Sequence, residues 1–331
     1  MSALLSIVIP TYNRRERLLR QLHSIYQQPE SSEVEIVVCD NHSDYDVYGA
    51  ILNEFGQSKV ANLTVHVNDR NVGMHANLAL IFNHCHSDWM WSLGDDDETT
   101  PGSIAVILRD IKMHPEALMF KYAIRGFKRY DNCEVNTCEE FIDFYYKDGT
   151  NHGHFIFLSN NVYNMSRIRE NYGMTLSYCF CAVAQLLPVF FSLKKGQGPV
   201  LLRNDEIVIY KSPAPGTGWN YLQTAIDLSS MILLPLDLSS KHLYRLGMIV
   251  VDNLSHSKIF RLCLEQPDRR YGRFIYLQIY NRSFRFSKKF KHKLYRWMFP
   301  VCYIAHLNLN GPLFQSIRGL VSKVSPDLAD I

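Results

Sequence analysis

"LLSIVIPTYNRRERLLRQLHSIYQQPESSEVEIVVCD", residues 4 to 40, contains a strand, a helix and a second strand in one reading. Residues 4–9 and 34–40 are continuous apolar runs with many β-branched side chains, each ending in polar residues. Such runs mark strands buried on both faces. Between them Leu18, Leu19, Leu22, Ile25 and Tyr26 recur at i, i+1, i+4, i+7 and i+8, the apolar stripe of a helix lying on a sheet. The rhythm continues with a helix near 46–57, a strand near 61–67, a helix near 74–86 and the strand "WMWSL" (89–93). A further helix opens at Thr100-Pro101, where Thr serves as cap and Pro fits the first turn. This alternation predicts an α/β fold, Rossmann-like, with a mainly parallel sheet and helices on both faces.

The pattern blurs after about residue 115. Residues 117–127 and 154–164 read as strands, 138–146 as a helix, and 181–193 as a buried helix interrupted by Pro188. Residues 199–211 read as a strand pair. "SPAPGTG" (212–218) is a loop and a boundary, and the chain beyond it looks helical and increasingly basic. Three regions follow: 1–115, 116–215 and 216–331.

With 331 residues, 47% of them hydrophobic, the chain has ample material for a core, which excludes disordered and fibrous classes. Its net charge of +3 hides a division: residues 269–331 carry +10 and residues 1–268 carry −7. Eight cysteines form no C-x-x-C pair, so reduced thiols in a cytosolic setting are expected. Residues 4–9 run into polar Thr11-Tyr12-Asn13 without a cleavage-type region, so no secretory leader is expected. No run approaches the roughly 20 apolar residues of a spanning helix.

Ligands of open sheets bind beyond the carboxyl ends of the strands. Thr11-Tyr12-Asn13, Asp40-Asn41, Asn71-Val72-Gly73 and Asp95-Asp96-Asp97 all follow predicted strands and should converge on one edge. Three adjacent carboxylates repel one another unless water, a cation or a cationic partner sits among them. Hard divalent cations such as Mg²⁺ take one or two carboxylates plus substrate phosphates.

"LLSIVIPTYNRRERLLRQLHSI", "EIVVCDNHSD", "NDRNVGMHANLALI" and "WSLGDDDETTPGSI", in that order over residues 4–115, resemble family-2 glycosyltransferases of the GT-A fold. The resemblance is to bacterial enzymes that build O-antigen or capsular polysaccharide, and "FIFLSNNVYN" extends it weakly. It implies that Pro10, Thr11 and Tyr12 line the nucleotide base, that Asp40 contacts base or ribose, and that Asn71 and Gly73 close the same pocket. The family's Asp-x-Asp motif falls on Asp95, Asp96 and Asp97, which would bind ribose and a Mn²⁺ or Mg²⁺ ion bridging the diphosphate. Its register stays open: counting back from Pro101 favours Asp96 as ligand, whereas first and third positions favour Asp95 with Asp97.

The resemblance also implies a nucleotide-sugar donor, UDP-linked, inversion at the anomeric carbon and a lipid-linked glycan acceptor. An inverting transfer needs a general base for the acceptor hydroxyl, which in this family is an Asp at the start of a helix in the second half. "MTLSYCFCAVAQLLPVFF" (174–191) contains no carboxylate there. The candidates are Asp148, His152, His154, Asp205 and Glu206, with "GTNHGHF" (149–155) attractive because His titrates near neutrality. From Arg269 to Pro326 basic residues alternate with aromatics and no Asp or Glu occurs. That pattern suits an anionic membrane surface, with the protein peripheral on the cytoplasmic face of the cell membrane. Nucleic acid would also attract the charge and is the disfavoured alternative, within a rival reading of a non-catalytic protein on the same scaffold.

Overall fold

The computed structural model describes residues 3–125, 131–148, 152–181, 183–210, 220–252, 254–287 and 289–304. Two units are present, Met1–Thr217 and Gly218–Ile331. In the first, β1 (Leu5–Thr11), β2 (Glu35–Asp40), β3 (Leu63–Val67) and β4 (Trp89–Ser92) pair in parallel in the order β3-β2-β1-β4. Helices α1 (Arg15–Tyr26), α2 (Val47–Phe55), α3 (Met74–Leu80) and α4 (Ser103–Met113) are interleaved with them. Ile7, Val8, Ile9, Ile36, Val37 and Val38 are completely buried, as strands covered on both faces must be. Leu18, Leu22 and Ile25 of α1 join the same core cluster, which is why the predicted stripe is apolar.

Antiparallel pairs enter where the alternation fades. β8 (Asn161–Asn164) lies antiparallel between β4 and β6 (Met119–Arg125), β6 pairs in parallel with β9 (Val200–Ile209), and β5 (Glu98–Thr99) and β7 (Cys133–Val135) run antiparallel to β9. The result is one nine-stranded sheet. Around it lie α5 (Cys138–Asp148), α6 (His152–Ile156), α7 (Met165–Ile168), α8 (Tyr172–Ser177) and α9 (Leu187–Lys194).

Four local readings are corrected. Residues 200–209 form one strand instead of a pair, and polar Asn204-Asp205 is absorbed as an irregularity in the β6–β9 register at Tyr122/Ala123. Residues 154–156 are helical instead of extended. Pro188 does not interrupt a helix but is the second residue of α9, in whose first turn its missing N–H costs nothing. Thr100 does not cap α4. The helix begins after Gly102, whose φ of +76° suits glycine, and the Gln28 side chain reaches in to accept from Ile104 N at 3.0 Å. Thr100 instead donates its hydroxyl to the Glu206 carbonyl.

The second unit is helical: α10 (Tyr221–Ser229), α11 (Ser240–Asp252), α12 (His256–Leu264), α13 (Arg269–Arg282) and α14 (Phe290–Ile304). Asn220, Ser255 and Asp268 cap α10, α12 and α13 with side-chain oxygens. Two sets stand out among the interleaved aromatics whose side chains are described. Tyr276, Phe284, Tyr295 and Phe299 are buried around His256 and Phe260, with Tyr276 stacked on Phe299 at 3.9 Å and His256 on Phe284 at 4.0 Å. Tyr271, Phe274 and Trp297 are exposed, Trp297 by 79%. Residues 305–326 of the basic segment lie outside the described residues. Among the described residues, no helix is long and apolar enough to cross a membrane.

Candidate functional site

Parallel pairing aligns the ends of β1 and β2, so Thr11 stands opposite Asp40, and the Asn41 amide donates to the Thr11 carbonyl at 2.9 Å. Asp40 is buried. Its carboxylate accepts from Ser43 N at 3.0 Å and from the Ser43 hydroxyl at 2.6 Å, fixing the turn after β2. Asn41 ties in the next loop: its Nδ2 donates to Asn71 Oδ1 at 2.8 Å, and its Oδ1 accepts from Val72 N at 3.0 Å and Asn68 Nδ2 at 3.1 Å. Asn71 Oδ1 also accepts from Gly73 N. Gly73 precedes α3 with φ at +82°, a conformation that accounts for the glycine. Pro10 is partly buried and Tyr12 exposed on the same edge.

β4 delivers the acidic triplet to this edge. Trp91 is completely buried and its Nε1 donates to the Ser159 carbonyl at 2.8 Å, while Leu93 N bonds the Val8 carbonyl. The apolar run is therefore the anchor of the carboxylates. Asp95, 3% exposed, accepts from the Thr11 hydroxyl at 2.8 Å and from Arg14 Nη1 at 2.9 Å. Asp96 accepts from Arg14 Nη1 at 3.2 Å and Arg17 Nη1 at 3.4 Å. Asp97 accepts from the Ser159 hydroxyl, whose oxygen in turn accepts from Gly94 N at 2.9 Å. Burial pushes the Asp95 carboxyl up, and the Arg14 charge and the Thr11 hydrogen bond pull against it. Repulsion within the triplet is thus met by two guanidinium groups and two hydroxyls.

A parallel β3-β2-β1-β4 sheet that gathers these groups at its carboxyl edge coincides with a match of residues 6–163 to the family model for glycosyl transferase family 2. That stretch belongs to glycosyl transferase family 2. The abequosyltransferase RfbV of Salmonella typhimurium is 30% identical over 105 residues, 31% of this chain and 31% of its own length. A glycosyltransferase of Haemophilus influenzae is 30% identical over 112 residues, 34% of this chain and 36% of its own. The aligned stretch thus spans about a third of either curated relative. Among solved structures, S. aureus TarS 1–349 in complex with UDP-GlcNAc is similar with a TM-score of 0.57 and 16% identity, over 84% of this chain and 79% of that one. The mannosyltransferase PcManGT from Pyrobaculum calidifontis, in complex with GDP-Man and Mn²⁺, gives 0.52 and 11% over 93% and 89%. These likenesses establish the GT-A fold.

The family 2 domain brings Pro10, Thr11, Tyr12, Asp40, Asn71, Gly73 and Asp95 to Asp97 onto one strand edge. No cluster of three His, Cys, Asp or Glu side chains is preformed as a metal centre among the described residues. The donor chemistry nevertheless fits a hard cation, because a Cβ placed on Gly94 would lie 3.2 Å from Asp96 Oδ1, 3.1 Å from Asp97 Oδ2 and 3.2 Å from Ser159 Oγ. Three oxygens therefore converge on the space left by that glycine.

The base candidates with described side chains, His154, Asp205 and Glu206, are not among the groups gathered at this edge. Asp148 ends α5 and His152 opens α6, but their side chains lie outside the described residues. His154 is completely buried. Asp205 pairs with Arg109 at 3.3 Å and Glu206 with Arg125 at 3.0 Å. Sequence reasoning missed Arg14, Arg17 and Ser159. The first two did carry a signal, since cations at a helix start oppose the helix dipole.

Proposed function

We propose that the chain is a glycosyltransferase that moves a sugar from a UDP-linked donor to a lipid-linked glycan in cell-surface polysaccharide synthesis. The observation that carries this reading is the convergence of Thr11, Asp40, the Asn71–Gly73 loop and the acidic triplet on one edge of a family 2 domain. The nucleotide sugars held by TarS and PcManGT, and the abequosyltransferase activity named for RfbV, support it. Residues 1–115 take the donor and 116–215 the acceptor. Exposed Tyr12 lies along the base, Asp40 accepts from the nucleoside, and Asn71 and Gly73 close the pocket.

Asp96 and Asp97 are the carboxylates that would hold Mn²⁺ or Mg²⁺, with Asp95 on the ribose side. Such a cation would neutralise charge developing on the leaving diphosphate. In the transfer the bond from the anomeric carbon to the phosphate oxygen breaks, and the acceptor oxygen bonds to that carbon from the opposite face. The acceptor proton leaves to a base in the second half of the domain, for which Asp148 and His152 are the candidates, His154 being completely buried. The basic residues of 269–326, together with exposed Tyr271, Phe274 and Trp297, hold the enzyme on the cytoplasmic face of the membrane.

Release of nucleoside diphosphate from a panel of sugar nucleotides, with Mn²⁺ or with EDTA, tests the reading. Slow hydrolysis that needs Mn²⁺ and falls at least tenfold in Asp96→Asn or Asp97→Asn is expected, equivalent to about 1.4 kcal/mol or more. No hydrolysis and no thermal stabilisation by any donor would sink it.

A further inference from the structure

His42 stands in the turn after β2 with φ at +69°, a left-handed backbone that a residue with a Cβ adopts less readily than glycine. Its ring is held in place. The imidazole Nδ1 lies 3.1 Å from the Asn68 carbonyl, and because a carbonyl oxygen can only accept, Nδ1 carries the hydrogen. In the neutral ring Nε2 is then an acceptor. The residue is exposed, and no partner meets that nitrogen among the described residues. The same reasoning orients two amides. Val72 N donates to Asn41 Oδ1 at 3.0 Å and Gly73 N to Asn71 Oδ1 at 2.8 Å, so the opposite atom of each amide is the amino nitrogen. Asn41 donates its amino group to Asn71 Oδ1 at 2.8 Å, whereas exposed Asn71 keeps Nδ2 unbonded among the described residues. Asn68, which holds the His42 ring, also donates to Asn41 at 3.1 Å, so one run of contacts sets both His42 and Asn71.

We propose that His42 reads the base of the donor: its Nε2 accepts from the imide N–H of uracil, and the Asn71 amino group donates to the adjoining carbonyl oxygen. This rests on the nucleotide-sugar reading above and adds a base preference to it. An acceptor beside a donor complements the N–H and C=O of an imide, whereas cytosine presents a bare acceptor nitrogen at the same ring position, lone pair against lone pair. A site built to bond an N–H discriminates against an analogue that lacks it. The positive φ of His42 fits this role, because a strained backbone persists where the side chain has a task that glycine could not perform.

The test is calorimetric titration of the full chain, in the presence of Mn²⁺, with UDP and with UDP methylated at the imide nitrogen. The parent should bind UDP about tenfold more tightly than the methylated nucleotide. His42→Gly should bind UDP about tenfold more weakly than the parent does, and the methylated nucleotide no more weakly. It should also melt at or above the parent's temperature, since glycine adopts the left-handed backbone freely. His42→Asn tolerates the same backbone without carrying a ring nitrogen to that place; it should show the same loss, and it decides the matter if His42→Gly does not fold. Variants that keep the parent's full preference for UDP overturn the assignment, as do equal losses for both nucleotides or a parent that does not distinguish them. In a parent that hydrolyses UDP-sugars, any of these results rejects this inference alone. A parent that hydrolyses only sugar nucleotides of another base overturns the inference and the UDP donor while leaving transfer itself. A parent that binds no nucleotide and hydrolyses no sugar nucleotide rejects the proposed function as well.

Discussion

Gly94 leaves the space that the acidic triplet uses. In Gly94→Ala the new methyl would sit 3.1–3.2 Å from oxygens of Asp96, Asp97 and Ser159. A shift of those oxygens by a few tenths of an ångström should lower metal-dependent turnover about tenfold or more while the melting temperature moves little, because misplacement of catalytic groups is costly. Ser159→Ala takes away the hydroxyl that Asp97 accepts from, and should cost about 1–3 kcal/mol in stability and weaken Mn²⁺ binding. Denaturant melts and metal titrations of the two variants check both statements. At this scale the placing of Asp40 and Asp95 to Asp97 on one strand edge was legible in the sequence, because they directly follow apolar strands that belong to one parallel set. Arg14 and Ser159 were not, since they meet the triplet across 81 and 62 residues, and only the cation at the start of α1 gives a local sign, for Arg14 alone.

Helix α4 shows what element-level reading can miss. A Thr-Pro pair advertises a helix start, but a buried glutamine from far upstream supplies the acceptor, so Gln28→Ala should destabilise the domain by about 0.5–2 kcal/mol, the ordinary cost of a lost cap. Lys121 on β6 plays a comparable part. Completely buried, it points its amine at Asn161 Oδ1 (2.7 Å), Asn160 Oδ1 (3.0 Å) and the Phe157 carbonyl (3.3 Å), and so holds the segment that carries Ser159. Burial drives its amine well below the usual lysine range. Lys121→Met should cost about 1–3 kcal/mol by stranding those oxygens, and should reduce turnover beyond what its stability loss explains. The first four strands and helices were legible because apolar periodicity there is uninterrupted. Among the later elements β6 and α5 were legible too, and the reading failed where β9 takes a polar irregularity in mid-strand and where α6 is a single helical turn among aromatics, which share the composition of a strand.

For the molecule as a whole, the aromatics of the basic segment include a buried set and an exposed one. Removing the C-terminal helices would strip Phe284, Tyr295 and Phe299 from the core of the second unit, so membrane docking is better tested by point changes at exposed positions. Phe274→Ala with Trp297→Ala should weaken flotation with anionic vesicles, and raised salt should weaken it further. The melting temperature of this double variant should stay near that of the parent. His256 adds a pH dependence. Burial, reinforced by nearby His292, sets its imidazole well below the ordinary value of 6.5. The unfolded chain takes up a proton in the window just below 6.5 that the folded unit refuses, so stability is full above that window and falls as pH drops through it, by up to about 1.4 kcal/mol per pH unit. Thermal melts between pH 7.5 and 5 should show the decline, and His256→Phe should flatten it. The bond between Ser159 and Asp97 also has a consequence for biosynthesis. A nascent chain that has just emerged with its acidic triplet must wait for 62 further residues before the hydroxyl that fixes Asp97 leaves the ribosome, so this strand edge is finished late, and an N-terminal cassette that stops short of Ser159 carries the triplet without that hydroxyl.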